Sequence, residues 1–377
     1  DVAPSRGLGD VYKRQILIDA HIFDGKFQGT RTYIEGLYKE LIHHEDIQFY
    51  FAAKRIDILK QCFGEQDNLH FIELKSTNKI KRLVIEFLRI IRKYNIDYAH
   101  YQYISPLIKT CKEIVTVHDL LFMDMPEYFP RSYRFKNELL FKRSAKRADI
   151  LLTVSEFSRD EIVRHFGLPY EKIGVTHNGV VLPEKDFGNT GILDQLGVKK
   201  YILTVSRIEP RKNHLALLRA FNELRLDTLD YKLVFIGGYD WSDRVFDAYL
   251  NNLSPEVRCS VIITSVSYPE LVNLYMNASL FVFPSLGEGF GIPPIEALAF
   301  NCPVLCSNVT AMAEFGLPAS MTFDPHDLSE MKSKMMQMLS TRSDISNIKQ
   351  KVLSKYQWKT SAEVLYDRII EDSKLAK

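Results

Sequence analysis

Short apolar, β-branched runs alternate with longer helical patterns along almost the whole of this 377-residue chain, and they do so in two successive series. In the first series, Ile16–Ala20 reads as a strand and Thr32–His43 as a helix, with Ile34, Leu37, Tyr38, Leu41 and Ile42 on one face. Apolar residues at i, i+3, i+4, i+7 and i+8 make such a stripe on an α-helix. Gln48–Ala53, Tyr98–Tyr101, Glu113–Val117 and Ile150–Val154 read as further strands, and Lys81–Lys93, Tyr133–Arg147 and Ser155–Phe166 as helices. Ser158 is expected to cap the last of these, with Glu161 three residues on, and Gly167 then Pro169 to stop it. Pro183–Gly197 has weak periodicity and scattered polar and glycine residues, which suits a segment between domains. The second series then begins. Its strands are Tyr201–Val205, Lys232–Ile236, Val261–Thr264, Leu280–Phe283 and Val304–Cys306, and its helices Asn213–Leu224, Pro269–Met276 and Pro294–Phe300. Alternation of this kind predicts an α/β fold with a doubly wound parallel sheet in each half, joined by right-handed crossovers. Ligands of such sheets bind beyond the carboxyl ends of the strands, so the cleft between the two halves is the expected site.

The expected division is residues 16–182 for the first domain, 183–199 for the connecting segment and 200–355 for the second. Residues 356–377 then form a helix, near Trp358–Glu371, that crosses back to the first domain. Residues 1–15, D-V-A-P-S-R-G-L-G-D-V-Y-K-R-Q, lack an apolar signal-peptide core and match nothing that follows. They read as a non-native leader outside the fold. Hydrophobic residues at 46% and charged residues at 25% are those of a soluble globular protein. A formal net charge of +2 creates no global field for nucleic acid. No apolar run approaches the ~20 residues needed to span a bilayer. The five cysteines, Cys62, Cys111, Cys259, Cys302 and Cys306, form no C-x-x-C pair and no zinc set. Sparse, unpaired thiols suit a reducing, cytoplasmic setting.

The stretch Pro284–Glu296, P-S-L-G-E-G-F-G-I-P-P-I-E, carries the clearest chemistry. It joins the apolar run Ser279–Phe283 to a helix-like run. A buried strand that ends in a glycine-rich turn and opens a helix is a natural anion site, because backbone can approach a ligand and the helix start favours phosphate. Pro293 and Pro294 suit first-turn positions, where no N–H is needed. Glu288 and Glu296, one at each end, add hydroxyl-binding groups, which suits a sugar and a ribose. Arg207 and Lys212, just past the strand Y-I-L-T-V-S, are the expected counter-charges for a diphosphate. Arg211 between them reads as a solvated turn residue. His118-Asp119 follows the strand E-I-V-T-V. Either His118 faces the cleft or its ring is satisfied by a backbone carbonyl at the strand end. Gln28-Gly29-Thr30-Arg31 is either a phosphate or acceptor loop or a plain strand–helix turn, and it is not the G-x-G-x-x-G of a dinucleotide fold. The helix Arg131–Arg147 carries seven basic residues among Phe135, Leu139, Leu140 and Phe141. It either meets anionic lipid or a lipid-diphosphate acceptor, or packs on the sheet with a solvated face.

These residues resemble the retaining glycosyltransferases of family four, whose two-Rossmann-domain architecture is called GT-B. The resemblance covers nearly everything from Ile16 onward. Its strongest stretch is residues 267–308, with the family's E-x7-E element as Glu288 and Glu296. V-S-R-I-E-P-R-K-N (205–213), T-V-H-D-L (116–120), T-V-S-E-F-S-R-D-E-I (153–162) and H-N-G-V (177–180) match in order. One departure is Asn301, where an A-x-G-x-P-V pattern carries glycine. Asn is the next-best residue for a left-handed helix cap.

The resemblance implies that Arg207 and Lys212 hold the diphosphate of a nucleotide sugar and that Glu288 binds the transferred sugar. The backbone of Gly289, Phe290 and Gly291, with Ile292, would line sugar and phosphate. Glu296 would bind the ribose and His118 the sugar near the reacting carbon. Gly29 and Thr30 would belong to a loop closing over the phosphates or acceptor. It further implies transfer of a hexose from a GDP- or UDP-sugar to a glycan or lipid-linked hydroxyl, with retention and with no metal or other cofactor. The usual setting is bacterial surface polysaccharide, as O-antigen or capsule, at the cytoplasmic face of the membrane. Two other readings are an epimerase or hydrolase of nucleotide sugars, and a non-catalytic protein on the same fold.

Overall fold

The computed structural model describes residues 13–25, 28–183, 187–238, 243–341 and 344–375. Two parallel sheets organise it. The first holds β1 Arg14–Asp19, β2 Ile47–Ala53, β3 Leu69–Glu73, β4 Tyr98–Gln102, β5 Lys112–Thr116, β6 Ile150–Thr153 and β7 Ile173–Val175, in the order β3-β2-β1-β4-β5-β6-β7. The second holds β8 Lys200–Val205, β9 Tyr231–Ile236, β10 Val261–Thr264, β11 Leu280–Phe283, β12 Val304–Ser307 and β13 Thr322–Phe323, in the order β10-β9-β8-β11-β12-β13. Every pairing is parallel; Ile16 of β1 lies opposite Phe49 of β2 and Tyr98 of β4. Leu17 and Ile18 of β1, like Phe281 and Val282 of β11, are buried on both faces, as strands covered by helices on either side must be. The chain reverses direction across each sheet at β1/β4 and β8/β11. Crevices open at such switch points.

Seven helices bear on the site: α1 Gly29–Leu41, α2 Arg131–Arg147, α3 Glu156–Phe166, α4 His214–Glu223, α5 Tyr268–Asn277, α6 Ile292–Ala299 and α7 Trp358–Leu375. α7 lies on the first domain. Its Trp358 ring fills space that a side chain on α1 would need: a Cβ at Gly36 would sit 2.1 Å from it. Gly179 leaves room for the Trp358 backbone in the same way, at 2.7 Å. Farther along, Asp372 pairs with Lys112 at 2.6 Å and accepts from the Tyr98 hydroxyl at 2.7 Å.

Several elements differ from expectation. β1 takes in Arg14 and Gln15, which the sequence reading left outside the fold; Arg14 pairs with Asp46 and the Gln15 amide donates to Asp97. The edge strands β3 and β7 were not anticipated, because one is largely half-buried and the other is three residues long with a glycine in it. The helix expected over 81–93 contains a π-helical turn, Arg82–Glu86, that buries Arg82. The cap of α3 is Ser155, whose hydroxyl accepts from the Ser158 amide; Ser158 itself is in the first turn. The connecting segment carries a short helix, Ile192–Leu196. Asn301 does take the left-handed conformation, φ 61°, that the departure from glycine required.

Candidate active site

The second domain supplies a buried carboxylate between two cations. After β8 the chain makes a 3-10 turn, Pro210–Lys212, that lays Arg211 and Lys212 against the loop following β11. Lys212 Nζ is 2.6 Å from Glu288 Oε1, and the Ser285 hydroxyl donates to the same oxygen at 2.6 Å. Arg211 lies 3.4 Å from Glu288 Oε2 and donates to the Gly287 carbonyl. Burial works to raise the Glu288 carboxyl, but Lys212 and Arg211 outweigh it and hold the group down to about 2. Burial lowers the Lys212 ammonium against the pull of Glu288. The Glu288 amide donates to Thr310 Oγ1 at 3.0 Å, and Thr310 sits at φ 53°, a costly position for a β-branched residue.

Arg211 is therefore not the solvated residue the sequence suggested: its side chain is 11% exposed. The reason is the turn. Three residues of 3-10 helix point Arg211 and Lys212 the same way, toward Glu288. Arg207 is exposed at the end of β8, and the arginine that touches Glu288 is Arg211.

Gly291, at φ 93°, turns the chain into α6. Pro293 and Pro294 occupy its first turn, so the amides available there are those of Ile292 and Ile295. Glu296 lies one turn in. The Tyr275 hydroxyl donates to its Oε2 at 3.1 Å, and burial pushes its carboxyl up. The side chain of Phe290 does not face this space. It packs among His177, Phe315 and Tyr356, so only its backbone can line a ligand.

The first domain supplies the facing wall. His118 follows the end of β5, is 8% exposed, and meets the Tyr33 ring edge-on at 4.9 Å. Its Nε2 is 2.7 Å from Gln102 Oε1, a side-chain partner rather than the backbone carbonyl considered above. Burial pushes the imidazole down to about 3, so the ring is neutral. Asp119 accepts from the Tyr103 hydroxyl at 3.1 Å and from the Leu121 amide at 3.2 Å, and burial raises its carboxyl.

The glycines of the 284–291 loop let these walls meet. A Cβ at Gly289 would sit 2.6 Å from the His118 carbonyl oxygen, and one at Gly287 would sit 2.6 Å from Met125 Cε. The Ser155 hydroxyl donates to the Gly289 carbonyl at 2.6 Å, and Ser158 donates to the His118 carbonyl at 2.9 Å. Glu314 of the second domain accepts from the Glu156 and Phe157 amides at the start of α3. An anion on a helix N-terminus is a favourable contact. The motif T-V-S-E-F is readable locally, but its clasp on the other domain is not. Gly29 and Thr30 open α1, and a Cβ at Gly29 would meet nothing within 4 Å, so packing does not require glycine there.

Two family models match in succession: residues 32–183 match Glycosyltransferase Family 4, and residues 193–357 match Glycosyl transferases group 1. O-antigen chain mannosyltransferase B of Escherichia coli is 30% identical over 316 residues, which cover 79% of this chain and 83% of that protein. The chain belongs to the family 4 glycosyltransferases. A second relative of this glycosyltransferase, O-antigen chain mannosyltransferase RfbU of Salmonella typhimurium, is 30% identical over 60% of each chain. Among solved structures, sucrose-phosphate synthase from Thermosynechococcus elongatus superposes with a TM-score of 0.72 at 17% identity, over 97% of this chain and 100% of that one. HepE of Anabaena in complex with UDP-glucose gives 0.69 at 14% identity, over 95% and 99%. The shared fold is GT-B, with the buried Glu288 cluster in its second domain and His118 in its first.

Proposed function

We propose that this glycosyltransferase moves a hexosyl group, mannosyl first among the candidates, from a nucleotide diphosphate sugar to a hydroxyl of a glycan or lipid-linked acceptor, with retention. Assembly of a bacterial surface polysaccharide such as an O-antigen chain is the setting that the relatives' names favour. The observation that carries the reading is the buried Glu288, held ionised beside Lys212 and Arg211 in a loop whose Gly289 packs against the His118 backbone. Glu288 accepts hydrogen bonds from sugar hydroxyls. Lys212, with Arg207 at the mouth of the cleft and the start of α6, stabilises the charge that grows on the diphosphate as the glycosidic bond breaks. Because the protein itself supplies that charge, the reading needs no metal ion. Glu296, steadied by Tyr275, accepts from the ribose hydroxyls.

A thermal-shift panel of GDP-, UDP-, ADP- and dTDP-sugars on wild type and Glu296→Ala tests this. A ligand at ~100 times its Kd adds about 2.7 kcal/mol of apparent stability. One nucleotide class should stabilise the wild type and lose most of its effect on the variant. No stabilisation by any of them contradicts the donor-cleft reading.

A cytoplasmic location at the membrane face belongs to the same reading. Among the described residues no helix is long and apolar enough to cross a membrane. The outer part of α2 exposes Phe135 at 76% and Leu139 at 64%, and the neighbouring loop exposes Leu107 and Ile108. Arg143 ties the two together through the Pro106 and Leu107 carbonyls. Arg131 and Lys136 of the same helix and Lys109 of the loop are exposed as well. Each apolar side chain that enters lipid contributes about 1.5–3 kcal/mol. Co-sedimentation with phosphatidylglycerol vesicles should therefore fall at least ~10-fold in Phe135→Ser/Leu139→Ser. Equal sedimentation of variant and wild type contradicts membrane contact through this face.

A further inference from the structure

Behind His118 runs a buried file of polar side chains for which the transfer chemistry above has no use. His118 Nε2 lies 2.7 Å from Gln102 Oε1. An amide oxygen only accepts, so Nε2 carries the imidazole proton. The Gln102 amide nitrogen lies 3.3 Å from His100 Nε2 and donates to it. His100 then carries its own proton on Nδ1, which donates to the Tyr38 hydroxyl at 2.7 Å. Thr116 Oγ1, 2.8 Å from His100 Nε2, braces the ring. His100 and Tyr38 are fully buried. With the Gln102 amide oriented in this way, each contact of the file pairs one donor with one acceptor. His118 Nδ1 is the end of the file, with a lone pair and no protein partner among the described residues.

We propose that Gln102, held by His100 and Tyr38, is a positioning residue that fixes His118 as the neutral tautomer protonated on Nε2, so that Nδ1 offers an acceptor to a hydroxyl of the donor sugar. This rests on the donor-sugar contact assigned to His118 above. A protonated ring would have two donors and no acceptor, and a ring protonated on Nδ1 would offer a donor there instead. Burial acts in the same direction, pushing both His118 and His100 down to about 3. The titratable groups around His118 are Tyr33 from α1, His100 and Tyr103 from β4 and the turn after it, Asp119 beside it in the chain, and Glu288 with Arg211 across the cleft. Asp119 is the group that would favour a charged ring. Its carboxylate is taken up by Tyr103 and the Leu121 amide.

Nitrogen-15 spectra of the histidine-labelled full chain, with His118→Ala to assign the resonance, read the tautomer directly. The wild type should show His118 protonated on Nε2 and untitrated from about pH 8 to 5.5. Gln102→Leu should mix the tautomers and lower kcat about tenfold, the worth of one hydrogen bond. Gln102→Glu places a carboxylate on the ring and raises its pKa. Its kcat/KM should then fall on the acid side, where the cation replaces the acceptor, while the wild-type profile stays flat there. Tyr38→Phe cuts the far end of the file at nearly constant volume and should broaden the same tautomer equilibrium. A His118 protonated on Nδ1, or a Gln102→Glu variant with wild-type spectra and profile, overturns the proposal. The spectra need no substrate. The predicted tautomer in a protein that transfers nothing would fault the function and keep the relay, whereas active protein with the other tautomer would fault the relay alone.

Discussion

Lys212→Met is expected to destabilise the fold by about 3–5 kcal/mol and to abolish transfer, because it leaves the Glu288 carboxylate buried with half its counter-charge. The two side chains are 12% and 11% exposed, so water cannot replace the lost ammonium. Folded Glu288 sits at about 2, and that depression depends first on Lys212 and then on Arg211. The double variant Lys212→Met/Glu288→Gln removes both charges. It should recover most of the stability in urea denaturation, while kcat/KM stays at least ~100-fold down because the site has lost its electrostatic stabilisation. A double variant as unstable as the single one would show that the pair is not the source of the penalty. A double variant with wild-type turnover would remove Glu288 and Lys212 from the chemistry.

Stability should fall steeply between about pH 6.5 and 5. His100, His118 and His214 are buried and pushed down to about 3. In the unfolded chain each returns to about 6.5. Below that value the unfolded state binds protons that the folded state refuses, so stability is fully present above pH ~6.5 and drains away as pH falls. The loss is on the order of 2 kcal/mol per histidine by pH ~5. Glu288 acts in the same direction only below the ordinary carboxylate range, whereas Asp119 and Glu296, whose carboxyls burial raises, act against the histidines. Urea midpoints measured from pH 8 to 5 check the slope, and His100→Gln should flatten about a third of it. A His100→Gln slope no flatter than that of the wild type would contradict the burial of this ring as a neutral group.

Both sheets were legible in the sequence because their strands are buried on two faces and so read as unbroken apolar runs, such as Ile150–Thr153 and Leu280–Phe283. Edge strands lack that signature. β3 has one buried residue in five, and β13 is two residues long. The carboxylates Glu288 and Glu296 stood out through the glycines and prolines around them. Which arginine touches Glu288 did not, because that depends on the 3-10 turn Pro210–Lys212, which carries Arg211 and Lys212 together toward it. The Ser155–Gly289 and Glu314–α3 contacts join residues more than a hundred positions apart, and no local pattern encodes such a pairing. Gln102 was invisible for a related reason: its partner on one side is His118, past the end of the next strand, and on the other His100, two residues back on its own strand.

The most direct test of the central claim is transfer itself. The labelled nucleotide sugar picked out by the thermal-shift panel would be incubated with the protein and with membranes bearing the lipid-linked glycan, and the label in the glycan fraction counted. The cleft as described predicts incorporation by the wild type and none by Lys212→Met/Glu288→Gln. A wild type that binds the donor yet never moves label to the glycan fraction, or a double variant that moves it equally well, would contradict a glycosyl transfer centred on Glu288.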